Sequence, residues 1–145
     1  MTNLVKMVAM GCVTTFLVAC GGTGQEATTP EQKIARAAER LRGSWLLVEF
    51  RPEDRLEPVL ASLLGVQIGR LTVFLDGNNL TAQGVGVRAN RQYVVNTAGG
   101  DQFTLTIIDP MGMKYGVAGS FVSQDLVFTS QTPPWRGSGR LQRAE

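Results

Sequence analysis

Hydrophobic and polar residues alternate with a period of two along most of the chain after residue 44. The alternation is clearest at Phe103, Leu105 and Ile107, which are separated by polar residues. Strict alternation is typical of a strand with one face buried and the other in solvent. The same criterion, with turn residues as boundaries, predicts about eight strands, at residues 45–50, 66–75, 80–87, 91–96, 102–107, 114–122, 126–129 and 139–143.

Short connections between the predicted strands set the expected topology. Asp76-Gly77 is a strong signal for a two-residue hairpin, and turn residues mark the links at 97–101, 109–112 and 123–125. Consecutive strands with short links pair as antiparallel neighbours, and closure into a barrel removes the exposed edges of the sheet. The expected fold is mainly β, an antiparallel meander of about eight strands closing as a small barrel. The alternative is a two-sheet β-sandwich.

Thr29 and Pro30 predict the start of a short N-terminal helix. Thr29 is a typical N-cap residue, Pro30 suits the first helical position, and Gln32 completes a capping box. Apolar residues then recur at helical spacing as far as Leu41, and Gly43 is suited to end the helix. We expect this helix to pack on the domain, with a role at a membrane surface as the alternative.

A second helix is predicted as an insertion after the first strand, at residues 57–65. Pro58 suits the first turn of this helix and Gly65 suits its end. The insertion would either fill one end of the core as a plug or cover a pocket as a lid, and the plug is favoured. The residues expected on its buried side are Val59, Leu60, Leu63 and Leu64.

The first twenty residues have the layout of a secretory signal. Lys6 lies in a short positive segment, and an apolar run of about a dozen residues follows it. The run is short for a membrane-spanning helix, which needs roughly 20 apolar residues. It ends in small residues, and these favour cleavage between Ala19 and Cys20.

Leu17-Val18-Ala19-Cys20 resembles the lipobox of bacterial lipoproteins. The resemblance implies a cleaved signal peptide at residues 1–19 and diacylglycerol on Cys20. The small, polar residues that follow predict a flexible tether, so residues 20–28 comprise the lipidated cysteine and the tether. Acyl chains would then hold the domain at the membrane, because two or more chains bind firmly where one does not. Gly21, in place of aspartate, implies the outer membrane, with the domain facing the periplasm. An uncleaved apolar anchor is the alternative.

Composition narrows the chemistry of the mature chain. The sequence has no histidine, and of its two cysteines Cys12 would be removed and Cys20 acylated. Histidine-dependent catalysis and histidine or cysteine metal centres are thereby excluded. The net charge of +2 is spread along the chain, so no nucleic-acid partner is expected. We expect no cofactor, no metal and no enzymatic activity.

Gly43-Ser44-Trp45, at the start of the first strand, resembles the Gly-x-Trp opening of lipocalins and related small barrels. In that family an arginine of the last strand lies across the tryptophan and closes one end of the barrel. The resemblance therefore implies a lipocalin-like barrel over residues 29–145. It also implies a structural cation–π pair between Trp45 and Arg140, with Arg143 as the second choice.

Pro133-Pro134-Trp135-Arg136 is the other stretch with a candidate role. A tryptophan beside an arginine on a stiff loop is typical of a protein-interface anchor. The alternative is that Trp135 folds over the open end of the barrel as a cap. The nearby acidic residues Glu53, Asp54 and Glu57 lie among arginines, which favours an ion-paired loop over acid–base catalysis.

Together these features predict a membrane-anchored envelope lipoprotein with a non-catalytic β-barrel domain. The expected ligand is a small apolar molecule or a lipid held inside the barrel. The alternative is a structural or assembly lipoprotein that binds an envelope protein through its surface, with Trp135 and Arg136 at the interface. An enzyme is the third and least favoured hypothesis, because no set of catalytic residues is visible in the sequence.

Overall fold

The computed structural model describes residues 28–145, which form two helices and eight strands. The predicted signal sequence, the cleavage position between Ala19 and Cys20 and the lipid-attachment site at Cys20 lie outside the described residues. In chain order the elements are α1 (Pro30–Leu41), β1 (Gly43–Pro52), α2 (Pro58–Gln67), β2 (Thr72–Asp76), β3 (Asn79–Gly84), β4 (Val87–Gly99), β5 (Gln102–Ile108), β6 (Lys114–Val122), β7 (Asp125–Ser130) and β8 (Gly137–Arg143).

The eight strands form one closed antiparallel barrel in the order of the sequence. Each strand pairs with the next, and β1 also pairs with β8, from Trp45 opposite Arg143 to Pro52 opposite Gly137. This last ladder joins the two strands that would otherwise be the edges of the sheet. The predicted meander and its closure are confirmed, and the sandwich alternative is wrong.

The helix α1 begins as the sequence predicts. Thr29 Oγ1 accepts a hydrogen bond from Gln32 N (3.2 Å), and Gln32 Oε1 accepts one from Thr29 N (3.0 Å), which completes the capping box. Ala37 and Leu41 are buried in the core of the barrel. The predicted packing of α1 on the domain is therefore confirmed.

The helix α2 is longer than predicted, because it continues through Gly65 to Gln67. The following strand is correspondingly shorter and starts at Thr72 rather than at residue 66. Gln67 Nε2 donates a hydrogen bond to Val85 O (2.8 Å), and Gln67 Oε1 accepts one from Val85 N (3.1 Å). This pair of hydrogen bonds holds the last turn of α2 against the β3–β4 turn.

The core lies inside the barrel and is built from the inward-facing positions of the strands, as in other small barrels. Two aromatic rings cover glycines on neighbouring strands, Phe103 over Gly119 and Phe128 over Gly139, where a Cβ would overlap the ring. The buried core residues come from α1 and from every strand except β3: Ala37, Leu41, Trp45, Leu47, Leu75, Tyr93, Val95, Phe103, Leu105, Phe121, Leu126 and Leu141.

The two ends of the barrel differ in how they are covered. One end, which we call the closed end, carries α1 and the tight β2–β3, β4–β5 and β6–β7 turns. The ion pairs from Arg40 to Asp101 (3.0 Å) and from Arg42 to Asp76 (3.1 Å) join α1 to two of these turns. The opposite end, which we call the open end, carries α2, the β3–β4 turn, and the β5–β6 and β7–β8 loops.

Candidate functional site

A cavity of about 560 Å³ occupies the interior of the barrel. All eight strands contribute apolar side chains to its wall, and α1 and α2 contribute at its two ends. The polar side chains of the lining belong to Gln67 and Ser130. The lining contains no Asp, Glu, Lys, Arg or Tyr residue. This volume falls within the range of small-molecule sites, roughly 300–1,000 Å³. The lining chemistry suits an apolar ligand.

Trp45 forms the structural centre of the closed end and is 1% exposed. Its indole Nε1 donates a hydrogen bond to Leu41 O (2.7 Å). The guanidinium of Arg143 lies over the indole ring at 4.2 Å and donates hydrogen bonds to Arg42 O (2.7 Å) and Arg40 O (2.6 Å). The two side chains thus bind carbonyl groups at the C-terminal end of α1, where a cation is favourable.

The predicted pairing of Arg140 with Trp45 is wrong, and Arg143 takes that position. The inward-facing residues of β8 are Gly137, Gly139 and Leu141, so Arg143 continues the inward series and Arg140 lies on the opposite face. Arg140 Nε instead lies 2.7 Å from Asp125 Oδ2 on β7, as an ion pair that is not aligned as a hydrogen bond. The register also places Arg143 directly opposite Trp45.

Gly43 completes this end of the barrel and accounts for the glycine of the Gly-x-Trp motif. Its φ angle is +124°, a region that disfavours side chains, and a Cβ there would lie 2.6 Å from Arg143 Nη1. The contact between the guanidinium and α1 therefore requires glycine at this position. The three parts of the motif, Gly43, Trp45 and the arginine, form one structural unit.

The helix α2 lies across part of the open end as a lid, and the favoured plug hypothesis is wrong. Leu63 and Leu64 contact the cavity, yet Gln67 is the one buried residue of this helix. Val59 is 76% exposed and Leu63 is 40% exposed, which contradicts the predicted burial of both. The helix is too weakly buried to fill the core, and the cavity extends beneath it.

Trp135 forms part of the cavity wall at the open end. It lines the cavity together with Phe50, and the two rings meet edge to face with centroids 6.4 Å apart. Phe50 in turn stacks on Phe128, with centroids 6.1 Å apart. Of the two hypotheses for Trp135, the geometry favours the cap over the barrel end.

Two of the three acidic residues of the β1–α2 loop, Glu53 and Asp54, are engaged in ion pairs. Arg136 lies 3.4 Å from Glu53 Oε1 and 3.5 Å from Asp54 Oδ2, and Glu53 N donates a hydrogen bond to Arg136 O (2.7 Å). These contacts tie the loop after β1 to the loop before β8. The ion-paired interpretation is confirmed for Glu53 and Asp54, although the partner is Arg136 and not the nearer arginines. It is wrong for Glu57, which forms no ion pair within residues 28–145.

Asp109 organises the β5–β6 loop at the open end. Its Oδ1 accepts hydrogen bonds from Met111 N (2.8 Å) and Met113 N (2.9 Å), and its Oδ2 accepts one from Tyr115 Oη (3.1 Å). The hydrogen bond from Met113, followed by those from Met111 and Tyr115, holds the pKa of Asp109 below its ordinary value despite some desolvation. The same contact with Asp109 raises the pKa of Tyr115.

Sequence reasoning missed Gln67, although one signal was present. Gln67 follows four apolar or glycine residues in the α2 segment, and a polar residue that ends such a run is a candidate for a specific hydrogen bond. Its partner, the backbone of Val85, could not be read from the sequence because the contact is tertiary. Gly84, beside it, leaves room for the amide, since a Cβ there would overlap Gln67 Oε1.

Within residues 28–145, no group of three or more acidic, histidine or cysteine side chains is arranged to hold a metal ion. In the same part of the chain, no helix is both long and apolar enough to cross a membrane.

The closed barrel of eight strands, with Trp45 and an arginine of the last strand at one end, is consistent with a lipocalin-like barrel. Comparisons with protein-family models, with curated proteins and with solved structures found no match to this chain.

Proposed function

We propose that the barrel binds a small apolar ligand, of the size of a fatty acid or a single lipid chain, in its central cavity. The observation that carries this proposal is the cavity of about 560 Å³ with its almost entirely apolar lining. Each methylene of a ligand moved there from water contributes about 0.8 kcal/mol. The Ser130 hydroxyl in the lining is available to orient a polar head group, whereas the Gln67 amide is engaged by the backbone of Val85.

The role we infer is binding without catalysis. Acid–base and nucleophilic catalysis need an ionisable or activated group at the reacting atoms. The cavity lining offers one hydroxyl, that of Ser130, with no acid, base or lysine in the lining to activate it. This composition supports a carrier or sensor.

We also propose that the chain is an envelope lipoprotein held at the membrane through lipid on Cys20 and facing the periplasm of a bacterium. The lipobox-like residues Leu17-Val18-Ala19-Cys20 support this proposal. The variant Cys20→Ser should lose acylation, so it should be washed from isolated membranes more readily than the parent protein. Continued acylation, detected by incorporation of labelled palmitate, would overturn the assignment.

The alternative, an assembly protein that holds an envelope protein through Trp135 and Arg136, has less support. Trp135 packs against Phe50 and Arg136 pairs with Glu53, so both side chains are engaged within the domain. Loss of one envelope partner in a pull-down with Trp135→Ala, while cavity-ligand binding is intact, would favour the alternative.

Ligand binding is tested by a matched pair of valine substitutions. Val117 lines the cavity, whereas Val94 is 49% exposed on the outer face of β4. Val117→Phe fills part of the cavity and should weaken binding of the fluorescent fatty acid cis-parinarate at least tenfold. Val94→Phe should leave it unchanged. Equal affinity of both variants, or no binding by the parent protein, would reject the cavity as the ligand site.

A further inference from the structure

The exposed hydrophobic side chains of the barrel are concentrated at the open end. Nine large hydrophobic residues are exposed in the described part of the chain, and six of them belong to α2, the β3–β4 turn or the β5–β6 loop. These six define what we call the apolar rim: Val59, Leu63, Val66, Val85, Met111 and Met113. Met111 is 90% exposed and Val59 is 76% exposed, the two highest values of the nine. Exposed apolar side chains gathered at one end of a domain are typical of an interaction surface, whereas single scattered ones are not.

The local structure holds these side chains outward. The hydrogen bonds from Met111 N and Met113 N to Asp109 fix the β5–β6 loop, so its two methionines project from an ordered turn. Gln67 fixes α2 beside Val85. The apolar rim is therefore a built feature of the open end.

Basic residues surround the apolar rim. Arg55, Arg70, Arg88 and Lys114 lie at the open end in the segments that border it, and all four are exposed. Within residues 28–145 none of the four forms an ion pair. Of the acidic residues at this end, Glu53 and Asp54 are paired with Arg136 and Asp109 is hydrogen-bonded within its own loop, whereas Glu57 is exposed and forms no ion pair in that range. At the closed end Arg40, Arg42 and Arg140 are paired with Asp101, Asp76 and Asp125, respectively, whereas Lys33 and Arg36 of α1 form no ion pair within residues 28–145.

We propose that the apolar rim and its four cations form a docking surface for a lipid bilayer that carries anionic head groups. Aliphatic and methionine side chains enter the interfacial region of a bilayer, and Lys and Arg beside them contact anionic head groups. The four cations beside the apolar rim are complementary in charge to anionic head groups, so the surface fits an anionic bilayer.

The docking surface surrounds the mouth of the cavity, and in this respect the inference rests on the proposed function. A lipid that enters the barrel beside α2 would pass from the bilayer into the cavity without crossing water. The chain enters the barrel through α1 at the closed end, opposite the apolar rim. Contact by the rim is therefore separable from an anchor at Cys20.

The test measures binding of the full chain, in a Cys20→Ser background that cannot be acylated, to sedimented vesicles. Vesicles of phosphatidylcholine with phosphatidylglycerol are compared with vesicles of phosphatidylcholine alone. The double variant Val59→Asp, Met111→Asp should lower the partition coefficient on anionic vesicles at least tenfold. Val122→Asp is the matched control, because Val122 is 45% exposed but lies at the closed end, and it should bind like the parent.

The charge component is tested separately with Arg70→Gln and Lys114→Gln. Each should lower binding to anionic vesicles by about fivefold and leave binding to neutral vesicles unchanged. Equal binding by the parent, the rim variants and the control would assign the binding to another part of the chain and overturn the proposal. The proposal would also be overturned if the rim variants kept vesicle binding but converted an oligomer of the parent protein into monomers. The rim would then be an interface between copies of the chain.

Two further measurements separate this proposal from the proposed function. Val117→Phe should lose cis-parinarate binding and keep vesicle binding. The rim variants should keep cis-parinarate binding and lose vesicle binding. Failure of ligand binding alone would leave the docking surface standing. An unchanged unfolding midpoint and near-ultraviolet circular dichroism spectrum show that each variant is folded, so a loss of vesicle binding is then a loss of the surface.

Discussion

At the scale of single residues, Arg143 links three elements at the closed end. Its guanidinium contacts the Trp45 ring and binds the carbonyls of Arg40 and Arg42, so one side chain joins β8, β1 and α1. Arginine can do this because its planar fork both stacks on an aromatic ring and donates several hydrogen bonds. Lysine keeps the charge but lacks the planar fork, so the variant Arg143→Lys should retain only part of the contact with Trp45 and the two carbonyl groups.

Arg143→Ala should lower the free energy of unfolding by about 2–3 kcal/mol, from one cation–π contact and two hydrogen bonds. Arg140→Ala is the natural control, because Arg140 has a partly exposed ion pair with Asp125 and should cost less than about 1 kcal/mol. Urea unfolding followed by tryptophan fluorescence measures both. Equal losses in the two variants would contradict the assignment of closure to Arg143.

Removing the hydroxyl group from each of the two tyrosines should have different effects on the free energy of unfolding. Tyr93 is 1% exposed, and within residues 28–145 its Oη finds no hydrogen-bond partner. Burial raises the pKa of this hydroxyl, with Asp76 adding to the effect. Tyr93→Phe should therefore leave the free energy of unfolding unchanged or raise it by up to about 1 kcal/mol.

Tyr115→Phe serves as the comparison, because it removes the hydrogen bond from Tyr115 Oη to Asp109. It should lower the free energy of unfolding, because the Asp109 carboxylate loses one of its three hydrogen bonds. Chemical denaturation of both variants under one set of conditions gives the difference. A large loss on Tyr93→Phe would mean that its hydroxyl has a partner after all.

At the scale of elements, the β5–β6 loop should respond to acid through Asp109. Three hydrogen bonds favour its carboxylate form, so its pKa in the folded chain lies below the value of about 3.9 for a free aspartate. The contribution of the carboxylate to loop order is thus fully present above about pH 4. It is lost as the pH falls through the lower, folded pKa.

Amide chemical shifts of Met111 and Met113 in an acid titration measure this transition. Both should move together with a midpoint below about 3.9, and Asp109→Asn should abolish the shared transition. A midpoint above that value would show that the carboxylate is not stabilised in the folded loop. Independent midpoints for the two amides would show that Asp109 does not organise the loop.

The elements also show what the sequence can predict. The strands and their antiparallel order follow from alternation and turn residues, which are local signals, as at Phe103 to Ile107 and Asp76-Gly77. The end of α2 does not, because the hydrogen bonds of Gln67 to Val85 depend on a contact between distant segments. The choice between Arg140 and Arg143 depends on which residues of β8 face inward, and sequence spacing alone does not show this.

At the scale of the whole molecule, the inward positions define a barrel but do not say whether it is filled. Phe103 and Phe128 turn onto Gly119 and Gly139, so these large rings cover the wall and do not cross the interior. The cavity of about 560 Å³ depends on these directions and on α2 remaining at the mouth. Side-chain direction and tertiary contacts are not encoded in hydrophobic periodicity, so the sequence predicts the barrel and leaves its cavity undecided.

A cavity that binds a ligand only in the folded barrel links binding to stability. Palmitate at a concentration 100 times its Kd should raise the free energy of unfolding by about 2.7 kcal/mol. Val94→Phe should keep this increase, because its side chain is on the outer face, and Val117→Phe should lose most of it. The comparison uses the change on adding palmitate, so any effect of each substitution on the ligand-free barrel cancels. A stabilisation of equal size in both variants would mean that palmitate binds the folded chain outside the cavity.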